Sequence, residues 1–294
     1  MISVVVPVYN EEENISKVID EIILIRDRLE KIEIIVVDDG SCDNTVEVVR
    51  KKQIRNDIVR LISVKHSGQT RAFRIGIDNS IGDKVVLIDG DFQNSALDIP
   101  LMINKLNEFD AVLGYRKNRK DPVFFKIIPS KIANIILSWI FDFKVYDYGC
   151  SLKVFKRETI DKVKIHLVCE GMHRFIPFFA NIYTKRIIQI AVSHRKREKG
   201  ISKNGLERIP TVIYHMLTLK AGNLFPVPNI KNGIVAIFII LTSFVLFLID
   251  RLIFSGSFKK LIKDTLYLSF GWLYYNFVLD IINTRKNYNK EYLN

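Results

Sequence analysis

Three times before residue 95, a short apolar run ends abruptly in polar side chains. Ile2-Ser3-Val4-Val5-Val6-Pro7 leads into Val8-Tyr9-Asn10-Glu11. Glu33-Ile34-Ile35-Val36-Val37 leads into Asp38-Asp39-Gly40-Ser41. Lys84-Val85-Val86-Leu87-Ile88 leads into Asp89-Gly90-Asp91-Phe92-Gln93-Asn94. Apolar, β-branched runs without polar alternation fit strands covered on both faces, as in parallel sheets. Between the first two, Ile15, Val18, Ile19, Ile22 and Ile23 recur at helical spacing. A further strand is expected at residues 59–64. Strand and helix thus alternate, which predicts an α/β fold with a doubly wound, mostly parallel sheet. Ligands bind such sheets at the C-terminal ends of the strands, so the three polar ends should line one edge.

The residue types at that edge suggest chemistry. Asp89 and Asp91 offer hard oxygen ligands suited to Mg²⁺ or Mn²⁺ carrying a diphosphate. Taken alone, the pair also fits an ordinary surface turn. Tyr9 offers an apolar face and Glu11 an acceptor for a base and ribose. The acidic run 11–13 equally suits a helix start through the helix dipole. Asp39 could accept hydrogen bonds from a nucleobase N–H, Gly40 permits a tight turn, and residues 41–45 can cap the next helix. Asp38 could serve as a cap instead. No Gly-x-Gly-x-x-Gly or P-loop occurs, so cationic side chains rather than a backbone cradle must neutralise phosphate.

At 294 residues the chain allows one large domain plus an appendage. Its net charge of +12 suits an anionic partner: nucleic acid, a nucleotide substrate or a membrane surface. No long basic block or nucleic-acid-binding signature occurs, so nucleic acid is not expected. Cys42, Cys150 and Cys169 show neither pairing nor metal spacing, as in a reducing cytoplasm. Met1 runs straight into the first strand, so no signal peptide is expected.

The last third changes character. Residues 233–254 are uncharged until Asp250 and Arg251, and at ~1.5 Å per residue they nearly span a hydrocarbon core. Residues 265–282 contain Asn276 and Asp280 but also Trp272, Tyr274 and Tyr275, which suit an interfacial belt. Both read as transmembrane helices, with a buried core helix the alternative for each. The expected organisation is a catalytic domain at 1–220, a linker at 221–231 and a membrane region at 232–294. Residues 209–219 read as an amphipathic helix that lies on the membrane or packs under the domain.

The set Pro7-Val8-Tyr9-Asn10-Glu11, Val37-Asp38-Asp39-Gly40-Ser41 and Asp89-Gly90-Asp91-Phe92-Gln93 resembles family 2 glycosyltransferases of the GT-A fold. Gln93 after the Asp-x-Asp narrows the resemblance to the polyprenyl-phosphate (dolichyl or undecaprenyl) sugar synthases. Gly114-Tyr115-Arg116, the run 147–153 from Asp147 to Lys153, His173-Arg174-Phe175-Ile176-Pro177 and the segment 197–203 extend it.

The resemblance implies transfer of one sugar from a nucleotide diphosphate sugar to a polyprenyl phosphate, with inversion. The nucleotide-binding residues would be Pro7, Tyr9, Glu11, Val37 and Asp39. Asp91, with Asp89 and Gln93, would hold Mg²⁺ or Mn²⁺, and Arg116, Arg197 and Lys203 would act on the phosphates. Segment 197–203 reads as a loop closing over phosphate, or as a basic surface loop. Lys131 falls where relatives often carry Arg, and it lacks the bidentate fork. The Glu-Asp pair and Gln-x-x-Arg-Trp motif of sugar-polymerising members are absent; the tryptophans are Trp139 and Trp272. An ionised lipid phosphate needs no catalytic base, so that absence favours it as acceptor. Asp147 would fix a loop and His173 would pack or hydrogen-bond near the acceptor, with a role as acid–base groups the alternative for both. Nucleotide sugars are cytosolic, which puts the catalytic domain of a multi-pass membrane protein on the cytoplasmic side. A homo-oligomer stays open. The alternatives are transfer to a lipid-linked sugar or glycan hydroxyl, and a silent membrane-tethered nucleotide-sugar binding protein.

Overall fold

The computed structural model describes residues 1–29, 31–117, 138, 143–168 and 170–195. The expected membrane segments, the linker, the 209–219 helix, Lys131, Arg197 and Lys203 lie outside the described residues. Among the described residues no helix is long and apolar enough to cross a membrane.

The chain alternates as the apolar runs require. Strand β1 (Ile2–Val8) is followed by α1 (Ile15–Leu24), β2 (Ile32–Asp38), α2 (Thr45–Arg55), β3 (Val59–Ser63), α3 (Gln69–Asp78) and β4 (Lys84–Leu87). Then come α4 (Ile99–Lys105), β5 (Ala111–Arg116), β6 (Lys153–Lys156), α5 (Arg157–Lys164), α6 (Ile176–Tyr183) and β7 (Ile187–Val192). The strands form one seven-stranded sheet in the order β3-β2-β1-β4-β6-β5-β7. Pairs β3/β2, β2/β1, β1/β4 and β5/β7 are parallel. Strand β6 runs antiparallel to both its neighbours, β4 and β5. The sheet is therefore mixed and mostly parallel, with one reversed strand that the repeating βα pattern did not contain.

Period-two alternation divides the strand residues between two cores. Val4, Val6, Ile34, Val36, Val86, Val112 and Val154 point to one face, where they meet Ile15, Val18, Ile19 and Ile22 of α1 and Ile99, Met102 and Ile103 of α4. Ile35 and Val37 point to the other, against Ala72 and Ile75 of α3. Each fully buried aliphatic side chain contributes about 1.5–3 kcal/mol through removal from water. This two-sided cover explains why β1 and β2 carry no polar alternation.

Register fixes the working edge. Val8 is paired with Asp38, and Asp38 with Ser63. The backbone N–H of Asp39 donates to the Val8 carbonyl at 2.9 Å, and that of Ile88 to the Val5 carbonyl at 3.2 Å. The ends of β1, β2, β3 and β4 consequently open onto the same side.

Candidate active site

Four loops meet at this edge. The loops after β1 and β2 are stitched together, with Asn10 N–H donating to Ser41 Oγ at 2.9 Å and Cys42 N–H to Asn10 Oδ1 at 2.8 Å. Asn10 adopts a left-handed φ of 51°, which asparagine tolerates. The Glu11 N–H donates to Thr45 Oγ1 at 2.8 Å, and its buried carboxylate accepts from Asn14 Nδ2 at 2.7 Å. Glu11 therefore helps to shape the start of α1. Pro7 and Val37 are paired across β1 and β2, and Val37 sits in the core beneath the edge.

Asp39 is the hub of the base side. Its carboxylate accepts from Ser67 N–H at 2.8 Å and Gly68 N–H at 2.9 Å. His66 Nδ1 lies 2.8 Å from Asp39 Oδ2. The His66 ring stacks on Tyr9, with centroids 4.3 Å apart and planes 24° apart. Segment 66–68, at the end of β3, was not singled out in the sequence. The signal was available: β3 is a further parallel strand, and Gly68 precedes the helical run of α3.

Asp89 and Asp91 leave β4 on either side of Gly90. A Cβ at Gly90 would overlap Val8 Cγ1, so the glycine lets the two aspartates pass close against β1. Asp89 Oδ1 accepts from Gln69 Nε2 at 2.7 Å, and its backbone N–H donates to Ser151 Oγ at 3.2 Å. Gln69 thus ties the metal-side carboxylate to the loop that grips Asp39. Asp91 Oδ1 accepts from the Gln93 N–H at 3.1 Å.

Phe92, between them, holds a left-handed φ of 62°, a strained conformation for a bulky residue. Its ring lies under the Arg195 guanidinium, 4.3 Å from ring centroid to Cζ. Arg195 N–H donates to the Gln93 carbonyl at 2.8 Å, and Arg195 also reaches Glu21 and Ser95. The chain after β7 is therefore laced to the Asp-x-Asp turn just before residues 197–203.

Charge under the site is denser than the motifs suggested. Lys153, on the reversed strand β6, is buried and donates to the Cys150 carbonyl. Burial pulls its ammonium below the ordinary lysine range, opposed by Cys150, Asp89 and Asp147. Burial likewise raises the Asp89 carboxyl above the ordinary carboxylate range, opposed chiefly by Lys153. Arg116, which the resemblance assigns to the phosphates, is ion-paired with Asp147. Its Nε donates to Asp147 Oδ2 at 2.6 Å and its Nη2 to Asp147 Oδ1 at 2.9 Å, both side chains being nearly buried. Asp147 also accepts from Gly149 N–H at 3.1 Å, so it fixes the loop ahead of β6. His173 Nδ1 lies 2.8 Å from Thr70 Oγ1, at the start of α3.

Two carboxylates and an amide oxygen donor, Asp89, Asp91 and Gln93, form a donor set of hard oxygens that fits Mg²⁺ or Mn²⁺. Among the described residues no group of three or more His, Cys, Asp or Glu could hold a metal. The remaining ligands would be phosphate oxygens and water, the usual arrangement for Mg²⁺.

A mixed α/β sheet with carboxylates from adjacent parallel strands at one edge is the arrangement of GT-A glycosyltransferases. Among solved structures, glucosyl-3-phosphoglycerate synthase of Mycobacterium tuberculosis with uridine diphosphate superposes with a TM-score of 0.56 at 22% identity, over 78% of this chain and 81% of that one. The same enzyme with Mn²⁺, UDP-glucose and glycerol 3-phosphate gives 0.54 at 21%, over the same shares of the two chains. The chain belongs to glycosyl transferase family 2, whose family model matches residues 3–164. It is 38% identical over 225 residues to dodecaprenyl-phosphate galacturonate synthase of Rhizobium johnstonii, covering 74% of this chain and 66% of that protein. To undecaprenyl-phosphate 4-deoxy-4-formamido-L-arabinose transferase of Proteus mirabilis it is 32% identical over 258 residues, covering 87% and 78%.

Proposed function

We infer that this glycosyltransferase moves one sugar from a nucleotide diphosphate sugar to a polyprenyl phosphate, at a membrane. The observation that carries the reading is the match, over most of the chain, to relatives named as acting on dodecaprenyl and undecaprenyl phosphate. The runs Pro7–Glu11, Val37–Ser41 and Asp89–Gln93 close or follow adjacent strands at one sheet edge, which supports it.

The residues divide the work as follows. Tyr9 and Asp39 take the base, one by its ring face and one by its carboxylate. Asp89, Asp91 and Gln93 would hold a divalent cation, Mg²⁺ or Mn²⁺, which would supply positive charge to the leaving diphosphate. Gln69 and the Asn94–Ser151 contact at 2.8 Å keep those carboxylates in place. Arg116 acts through Asp147, orienting the 147–149 loop rather than reaching the phosphates itself. Arg197 and Lys203 follow Arg195, which is anchored beside Gln93. They supply the positive charge that lets an anionic acceptor approach an anionic donor. The acceptor phosphate is already ionised, so no side chain has to remove a proton. Residues 233–254 and 265–282 hold the enzyme at the bilayer where that lipid resides, with the catalytic domain in the cytoplasm.

The test is transfer by the full-length protein in membranes, from radiolabelled UDP- and GDP-sugars, to undecaprenyl and dolichyl phosphate, with the product identified by mass. One nucleotide sugar should give a lipid product heavier by one sugar residue. Excess chelator should abolish transfer, Mg²⁺ or Mn²⁺ should restore it, and Asp91→Ala should lower turnover by at least about 10²-fold. Label incorporated only into a glycan would reject the reading.

A further inference from the structure

Asp39 is the acceptor that a nucleobase N–H should find, yet its carboxylate is already engaged and covered. Oδ1 accepts from the Ser67 N–H at 2.8 Å and the Ser67 hydroxyl at 3.3 Å. Oδ2 accepts from the Gly68 N–H at 2.9 Å and faces His66 Nδ1 at 2.8 Å. An ionised carboxylate has about four lone-pair sites; Ser67 and Gly68 take three, and His66 stands over the fourth. One donor must leave. The two backbone amides belong to the turn into α3 and stay with the fold, and the Ser67 hydroxyl sits on Oδ1, so its rotation leaves Oδ2 and the Tyr9 face still covered. The imidazole of His66 is 57% exposed and hangs on two rotatable bonds.

What the imidazole does there is informative. Two acceptors face its Nδ1, the Asp39 carbonyl at 3.0 Å and Asp39 Oδ2 at 2.8 Å, so Nδ1 carries the ring proton and donates to Asp39. Its flat face covers Tyr9 at 4.3 Å. A pyrimidine base recognised by this pocket would make the same two contacts: a ring over Tyr9 and a ring N–H into Asp39. Both cannot be there together.

We propose that His66 is a placeholder for the nucleobase, occupying the Tyr9–Asp39 pocket in the nucleotide-free enzyme and swinging out when the nucleotide enters. The proposal rests on the nucleotide-sugar reading and adds a residue that sets nucleotide affinity by competition. It explains why an exposed histidine follows β3 at this point. Until the donor arrives, it satisfies a buried carboxylate and keeps the Tyr9 face covered.

The experiment is calorimetric titration of the full-length protein in detergent with UDP and Mg²⁺, comparing wild type, His66→Ala and Asp39→Ala. Deleting a competitor held by one charge-assisted hydrogen bond and one ring stack should tighten UDP binding several-fold, about 2- to 10-fold. Asp39→Ala should weaken it. A second measurement on the unmodified sequence guards against a misfolded variant. With ¹⁵N-labelled histidine, the His66 ring resonance should shift on UDP addition as it leaves Tyr9 and Asp39. UDP binding that is unchanged or weaker in His66→Ala, or a His66 resonance unmoved by UDP, would overturn the placeholder. If the wild-type chain bound neither UDP nor any other nucleoside diphosphate, the nucleotide-sugar reading itself would fall, and the placeholder with it.

Discussion

Removing Asp147 is the sharpest test of how the site is supported. Its carboxylate receives two guanidinium bonds from Arg116, at 2.6 and 2.9 Å, and N–H groups from Arg116 and Gly149 at 3.3 and 3.1 Å. The side chains are 12% and 6% exposed, so water cannot replace the lost partner. Asp147→Ala would leave the guanidinium buried without its counter-charge, close to the buried Lys153. Breaking such a pair from one side costs about 3–5 kcal/mol, a large part of the roughly 5–15 kcal/mol that holds a domain together. At about 2–4 °C per kcal/mol for a domain of roughly this size, the melting temperature should fall by roughly 6–20 °C. The assay is thermal unfolding of the full-length protein in detergent, followed by near-ultraviolet circular dichroism. The double variant Arg116→Met/Asp147→Leu removes both charges together and should lose less than the sum of Arg116→Met and Asp147→Leu measured singly. A melt for Asp147→Ala within about 2 °C of wild type, or strictly additive losses in the cycle, would refute this account of Arg116.

Other outcomes follow from the same geometry. Burial, against Phe179 with Tyr183 Oη 2.6 Å away, holds His166 below its ordinary pKa of 6.5. Because the folded state prefers the neutral ring, stability is full above 6.5 and is lost as pH falls from there through the depressed folded value. Melting temperatures measured between pH 7.5 and 5 should fall less steeply in His166→Gln than in wild type, and identical slopes would contradict the claim. Gly68→Ala puts a Cβ at φ 99° into the Glu170 carboxylate. It should cost about 1–3 kcal/mol and loosen the amides that grip Asp39, lowering both the melting temperature and UDP affinity. An unaltered melt would show that the turn can relax.

The strands that were plain in the sequence are those whose burial is local information. β1, β2 and β4 are covered on both faces, so apolar residues dominate each run, with Ser3, Glu33 and Lys84 near the starts, and the polar ends stand out. β6 could not be read this way. Lys153-Val154-Phe155-Lys156 is short, carries two lysines and owes its place between β4 and β5 to pairing with residues 40 or more positions away. Site residues divide along the same line. Asp39, Asp89 and Asp91 announce themselves because each ends a strand. Their partners do not: His66, Ser67 and Gly68 reach Asp39 from 27 to 29 residues away, and Gln69 reaches Asp89 from 20. Arg116 is a candidate phosphate ligand through the family resemblance alone, and its buried ion pair with Asp147 was not legible there. Only the folded register brings Asp147 onto it.

The central claim is that the acceptor is a lipid phosphate, and the linkage formed tests it most directly. The full-length protein, its nucleotide sugar carrying a labelled sugar, and undecaprenyl phosphate should yield a lipid-extractable product that mild acid cleaves to the free sugar, as a glycosyl phosphate requires. Undecaprenol, lacking the phosphate, should yield none. A product stable to mild acid, or equal transfer to the alcohol, would contradict the account and point to a hydroxyl acceptor.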